Sequence, residues 1–256
     1  MATQAVNQPD SGPEAQGGKA RRKPAPAFNE ALLIVIVGLV ATVFGFLPTF
    51  FLRLSEVDLA HQIHGWTMTF WLLLVLAQIV LARRRHYAWH RQLGWASIVL
   101  FAAMVGSSLQ MMALMMSGAT HLPFEFAKFF GYSDFANMPL LFILYGGAIW
   151  YRKDRYLHSR LIATTVLTSI VPALARAYNI AIWRTMEGLH YAMHPTYLTL
   201  LGLLALAIWR DRAGGRLRWP LPFVFAWTSV VYATQWVIVD VAWYDALCRA
   251  LGSLAA

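Results

Sequence analysis

Residues 59–85 read LAHQIHGWTMTFWLLLVLAQIVLARRR, an apolar run of bilayer length closed by three consecutive arginines. A membrane-spanning helix needs about 20 predominantly apolar residues, and a cluster of arginines belongs at a membrane surface, so this stretch reads as a crossing helix that ends at Arg83. Along it His61, His64, Met68, Trp71, Val75, Gln78 and Ala82 recur at spacings of three and four, which gathers them on one stripe. A stripe carrying two imidazoles and an amide faces other helices, not lipid.

Working outward, six more apolar segments accompany this one, giving seven spans at residues 30–52, 59–82, 93–117, 135–151, 161–180, 190–209 and 221–241. The composition agrees: 59% of the 256 residues are apolar and 13% charged, against about 25% charged in a soluble domain. A soluble enzyme is excluded on those grounds. Residues 1–27, rich in Gly, Pro, Gln and Ala with a basic run from Lys19 to Lys23, read as a disordered cytoplasmic tail. Residues 28–256 read as one all-α transmembrane bundle.

Charge placement gives the orientation. The tail and the second-to-third, fourth-to-fifth and sixth-to-seventh connections hold all the basic residues except Arg53, Lys128, Arg176, Arg184 and Arg249. By the positive-inside rule the amino terminus is cytoplasmic and the carboxyl terminus outside. The surplus of nine positive charges therefore sets topology and implies no nucleic-acid partner. No Walker loop, dinucleotide-binding glycine fingerprint, His-Glu-x-x-His or Gly-x-Ser-x-Gly occurs, which argues against nucleotide-driven work. Cys248 is the single cysteine, so a Cys-only metal site is excluded.

Polar residues inside hydrocarbon are the best functional pointers. With this orientation His61, His64, Gln110, Arg176, Asn179, His190, His194, Gln235 and Asp240 fall in the outer third. His190 and His194, four apart, share a face with Tyr197, and His64 and His194 lie at similar depth. Imidazole is a good ligand for zinc, copper and haem iron. The leading expectation is a redox protein with b-type haem between the second and sixth spans, ligated by His64 and His194, with Arg176 paired to a propionate. A quinone or a redox protein would then be its partner, beside membrane lipid. The second expectation is a zinc- or copper-dependent membrane enzyme, such as a lipid hydrolase, with His61, His64, His190 and His194 as the metal ligands. The third is a non-catalytic accessory or transport protein whose histidines bond interfacial groups such as Asp58 or Glu187. Met111, Met112, Met115 and Met116 crowd the same depth; thioether with imidazole suits copper, and Met is also a common core filler.

A short internal repeat relates Arg83–Leu93 to Tyr151–Leu161, with His90 and His158 in equivalent places. It points to helix pairs duplicated along the membrane normal. Both histidines read as anchors of helix ends at the inner surface, with cofactor ligation as the alternative.

The succession His61-x-x-His64-Gly65-Trp66, Gln78 and His90-Arg91-Gln92-Leu93-Gly94 resembles a group of uncharacterised bacterial multi-pass membrane proteins, and Val171 to Arg176 looks like a second shared stretch. That resemblance implies a topology and no activity. A weaker similarity links His64, Gly65, Met68 or Trp71 and Arg83 to the ascorbate-reducible b-type cytochromes. It implies two haems, for which the chain offers His64 with His194 outside and His90 with His158 inside. His190 and His194 also have the His-x-x-x-His spacing of seven-span zinc hydrolases of the ceramidase type.

Overall fold

A computed structural model describes residues 28–120 and 122–255; the tail expected over residues 1–27 lies outside the described residues. Ten α-helices follow one another: α1 Phe28–Phe46, α2 Leu59–Arg83, α3 Tyr87–Met116, α4 Phe124–Trp150, α5 Arg155–Ser169, α6 Val171–Ile182, α7 Met186–Tyr191, α8 Met193–Ala213, α9 Pro220–Ile238 and α10 Ala242–Ser253. A π-helical turn, Leu47–Phe51, extends α1, and no strand occurs among the described residues. The chain is an all-helical, multi-pass membrane protein.

Five helical stretches are long and apolar enough to cross a bilayer: α1 with its π turn, α2, α3, α7 with α8, and α9. The pair α5 and α6 makes a sixth when counted as one span bent by 47°. Seven spans were expected, and the difference is α4. Its 27 residues are long enough, but Glu125, Lys128 and Asp134 in its first half keep it from being apolar throughout. The bend at Ile170 has a local cause: Pro172 offers no N–H, and its ring crowds the carbonyl of Thr168 one turn back.

Helix starts follow their caps. The Asp58 carboxylate accepts the His61 amide at the start of α2, Asp154 accepts those of Tyr156 and Leu157 at the start of α5, and the Thr185 hydroxyl accepts that of Gly188 at the start of α7. Between α2 and α3 the chain reverses within three residues, with Arg85 in the left-handed region at φ 61°. For that reason α3 starts at Tyr87, six residues ahead of the expected span.

Helices α2 to α5 form a four-helix square: α2 packs on α3 and α5, and α4 on α3 and α5. Helix α1 lies against α2, α5 and α6, while α8 and α9 pack on each other and close the far side. Where α1 meets α6 the backbones nearly touch; a Cβ at Gly45 would come 2.3 Å from the Ala173 carbonyl oxygen. Small residues of this kind let membrane helices pack without a hydrophobic driving force.

Each helix of the square contributes to three levels. The middle level is a dry plug. Trp71, Phe101 and Tyr145 pack with ring centroids 4.2–5.7 Å apart, all nearly inaccessible. The Trp71 indole donates to Thr165 Oγ1 at 3.3 Å, and Tyr145 bonds Ser97 at 2.7 Å. The levels on either side are polar: one at the His64 end, called outer after the expected orientation, and one at the His90 end, called inner.

Candidate functional site

The outer level is a cavity of about 80 Å³ inside the square. Helix α2 supplies His64 and Met68, α3 Met104, Ser108 and Met111, and α4 Asp134, Asn137, Met138 and Leu141. Thr168 and Ser169 close it from the last turn of α5, and Pro172 from the first turn of α6, so the bend of that span opens onto the cavity. Four thioethers, one imidazole and one carboxylate thus share one small space.

The ionisable groups at this level are not tied to one another. His64 Nδ1 lies 3.3 Å from Ser107 Oγ, which also meets Thr67 Oγ1 at 3.0 Å. That leaves Nε2 without a described partner. Arg176 donates to the Pro172 carbonyl at 3.3 Å and stacks over the Phe46 ring at 4.7 Å. The charge of Asp134 acts on Arg176, and that of Arg176 acts on His64. No ion pair or hydrogen bond of Asp134 occurs among the described residues. Asp134, which lines the cavity, therefore keeps its carboxylate available to a guest.

The other expected site residues lie elsewhere. His61 Nδ1 meets Asp58 Oδ2 at 2.6 Å at the surface end of α2. His194 Nδ1 bonds the Tyr232 hydroxyl at 2.8 Å, and its ring stacks on Trp236 at 4.3 Å and 9°. His190 lies between Phe129 and Trp236, at 4.1 and 4.8 Å. Helix α2 packs on α1, α3 and α5, whereas α8 packs on α6, α7 and α9. His64 and His194, expected to face each other, are thus held by different neighbours.

A haem between those two residues does not fit this arrangement. The cavity beside His64 is well below the roughly 300–1,000 Å³ of pockets that take cofactor-sized ligands, and His194 does not line it. No group of three or more His, Cys, Asp or Glu side chains is placed to hold a metal among the described residues. Arg176 was expected to pair with a haem propionate; the carboxylate whose charge acts on it inside the bundle is Asp134.

Asp134 was missed because the fourth span was started at Phe135, just after it, whereas Asn137 and Met138 lie inside that span and were not singled out. A usable signal existed. Asp134, Met138, Leu141, Tyr145 and Ala148 recur at spacings of three and four, so the polar residues and the apolar stripe behind them belong to one helix face.

Compared with known proteins, the chain matches no family model, no curated protein and no solved structure.

Proposed function

We propose that the chain is an accessory or transport protein of the bacterial cytoplasmic membrane that holds copper(I) in the outer half of a seven-span bundle. The observation that carries this reading is the gathering of Met68, Met104, Met111 and Met138 with His64 around one cavity of about 80 Å³. Thioether and imidazole donors select soft copper(I), whereas zinc sites are built from Cys, His and carboxylate. The volume suits an ion and excludes a macrocycle or a lipid. Asp134 supplies the negative charge that a buried cation needs.

The seven-span reading adds α4 to the six other crossings. At about 1.5 Å per residue its 27 residues extend about 40 Å, enough to cross. Its charged residues avoid lipid: Lys128 is 5% exposed and pairs with Asp245, and Asp134 faces the cavity. Exposed Trp89, Trp150, Trp209 and Trp219 lie near the ends rich in arginine, as an interfacial belt does. Both points support an amino terminus in the cytoplasm and a carboxyl terminus outside.

The test is an anaerobic titration of purified full-length protein with copper(I) against a chromogenic chelator. Wild type is expected to compete for copper and Met104→Leu/Met111→Leu to compete for one equivalent fewer, with equimolar zinc(II) having no effect. Copper that stays entirely with the chelator, or a zinc that displaces it, would reject the reading. A second reading rests on His64 and Asp134 in the same cavity, with the charge of Arg176 acting on both, a constellation suited to moving a proton. It predicts that Asp134→Asn abolishes acidification of vesicles loaded with a pH-sensitive dye while copper retention is unchanged.

A further inference from the structure

The inner level of the four-helix square holds a second pair of imidazoles, one from each half of the internal repeat. His90 stands in the first turn of α3 and points Nδ1 at the Gln78 carbonyl of α2, 3.3 Å away. His158 stands in the first turn of α5 and points Nδ1 at the Ala148 carbonyl of α4, 2.8 Å away. In both halves a histidine on the returning helix is thus bonded to the last turns of the outgoing one. A carbonyl can only accept, so each Nδ1 carries the proton and each neutral ring keeps its lone pair on Nε2. Holding Nδ1 in this way is how proteins orient a metal-binding imidazole.

The two rings reach across the diagonal of the square. Their centroids are 6.1 Å apart and their planes 75° from parallel. At the usual metal–nitrogen distance of about 2.0–2.1 Å, two imidazoles on opposite sides of one metal have centroids about 6.4 Å apart, against about 5.2 Å at a tetrahedral angle. The observed separation fits the opposed arrangement. In addition, Gln78, whose Nε2 donates to the His90 carbonyl at 3.0 Å, leaves its Oε1 buried with no partner. A buried polar atom left in that state calls for an ion or a water beside it.

We infer that His90 and His158 form a two-imidazole site for copper(I) at the cytoplasmic end of the bundle, each ring binding through Nε2. Copper(I) is the ion of choice because it is filled-shell and accepts linear coordination by two neutral nitrogens. No third His, Cys, Asp or Glu completes a zinc site among the described residues. The pair is independent of the outer cavity, from which the Trp71 level separates it.

The experiment uses full-length Met104→Leu/Met111→Leu protein, which has an emptied outer cavity, loaded anaerobically with copper(I). X-ray absorption is expected to show two nitrogen scatterers and the edge feature of linear two-coordinate copper(I). His90→Ala and His158→Ala in that background are each expected to weaken binding by more than the roughly 10–100-fold cost of losing an outer-shell partner. Because the measurement on the unaltered histidines stands alone, a variant that does not fold leaves the inference testable. Copper with only sulfur neighbours, no copper retained, or a Soret band from haem iron on this pair would each overturn it. Loss of the signal from wild type's outer site alone bears on the preceding proposal and not on this one.

Discussion

Arg160 Nη2 lies 2.6 Å from Asp211 Oδ1 and Arg160 Nε 2.9 Å from Oδ2, a two-pronged ion pair that ties α5 to α8 with side chains 3% and 0% exposed. The Tyr156 hydroxyl donates to the same carboxylate. His158 is two residues before Arg160, so this clamp also fixes the helix turn that carries one of the inner imidazoles. Removing one partner strands a buried charge. Asp211→Asn or Arg160→Met is expected to cost about 3–5 kcal/mol, read as lost resistance to denaturant in detergent. The double change Arg160→Met/Asp211→Leu is expected to recover much of that loss. Single changes worth less than about 1 kcal/mol, the level of an exposed pair, would show that the clamp is not needed.

At the cap of the same helix the amide of Leu157, with the Arg218 guanidinium beside it, holds the Asp154 carboxyl below its ordinary range, against a smaller opposing effect of burial. A carboxyl with a lowered folded pKa stabilises fully above its unfolded value of about 3.9 and loses that contribution as pH falls through the folded value. Hydrogen exchange at the start of α5 is therefore expected to be slow at neutral pH and to accelerate only below about pH 4. Asp154→Asn is expected to exchange quickly at both pH values. Equal protection in variant and wild type at pH 7 would contradict this.

Packing between α1 and α6 offers a paired test. Gly45→Ala would drive its Cβ into the Ala173 backbone, whereas a Cβ at Gly106 meets nothing within 4 Å. Overpacking of this kind costs about 1–3 kcal/mol, and Gly to Ala in an open helix position gains up to about 1 kcal/mol. Thermal unfolding in detergent is expected to fall for Gly45→Ala and to hold or rise for Gly106→Ala. The opposite order would mean that α1 and α6 are not in this contact in the membrane.

Topology is checked with fusions. Alkaline phosphatase, active only outside the cytoplasm, is expected to be active after Ala255 and inactive after Arg152 in the connection between α4 and α5. Activity after Arg152 with none after Ala255 would remove α4 from the list of crossings and leave an even number of spans.

Much of the fold was legible because hydropathy and the placement of arginines report directly on the bilayer. The all-helical class, the stripe on α2 and the equivalence of His90 and His158 follow from spacing alone. What stayed hidden was which helices touch. His64 and His194 share a depth, yet depth along the membrane normal says nothing about azimuth around the bundle, and α2 and α8 take different neighbours. Asp134 was hidden for another reason. A helix with Glu125, Lys128 and Asp134 in its first half falls short in any average over hydropathy, and only its periodicity marks the face that lines the cavity.

The aromatic plug of Trp71, Phe101 and Tyr145 has a consequence for energetics at the scale of the cell. Three buried aromatic rings between the two polar levels make that stretch of the square costly for an ion to traverse, which works against leakage of the ion gradients across the membrane.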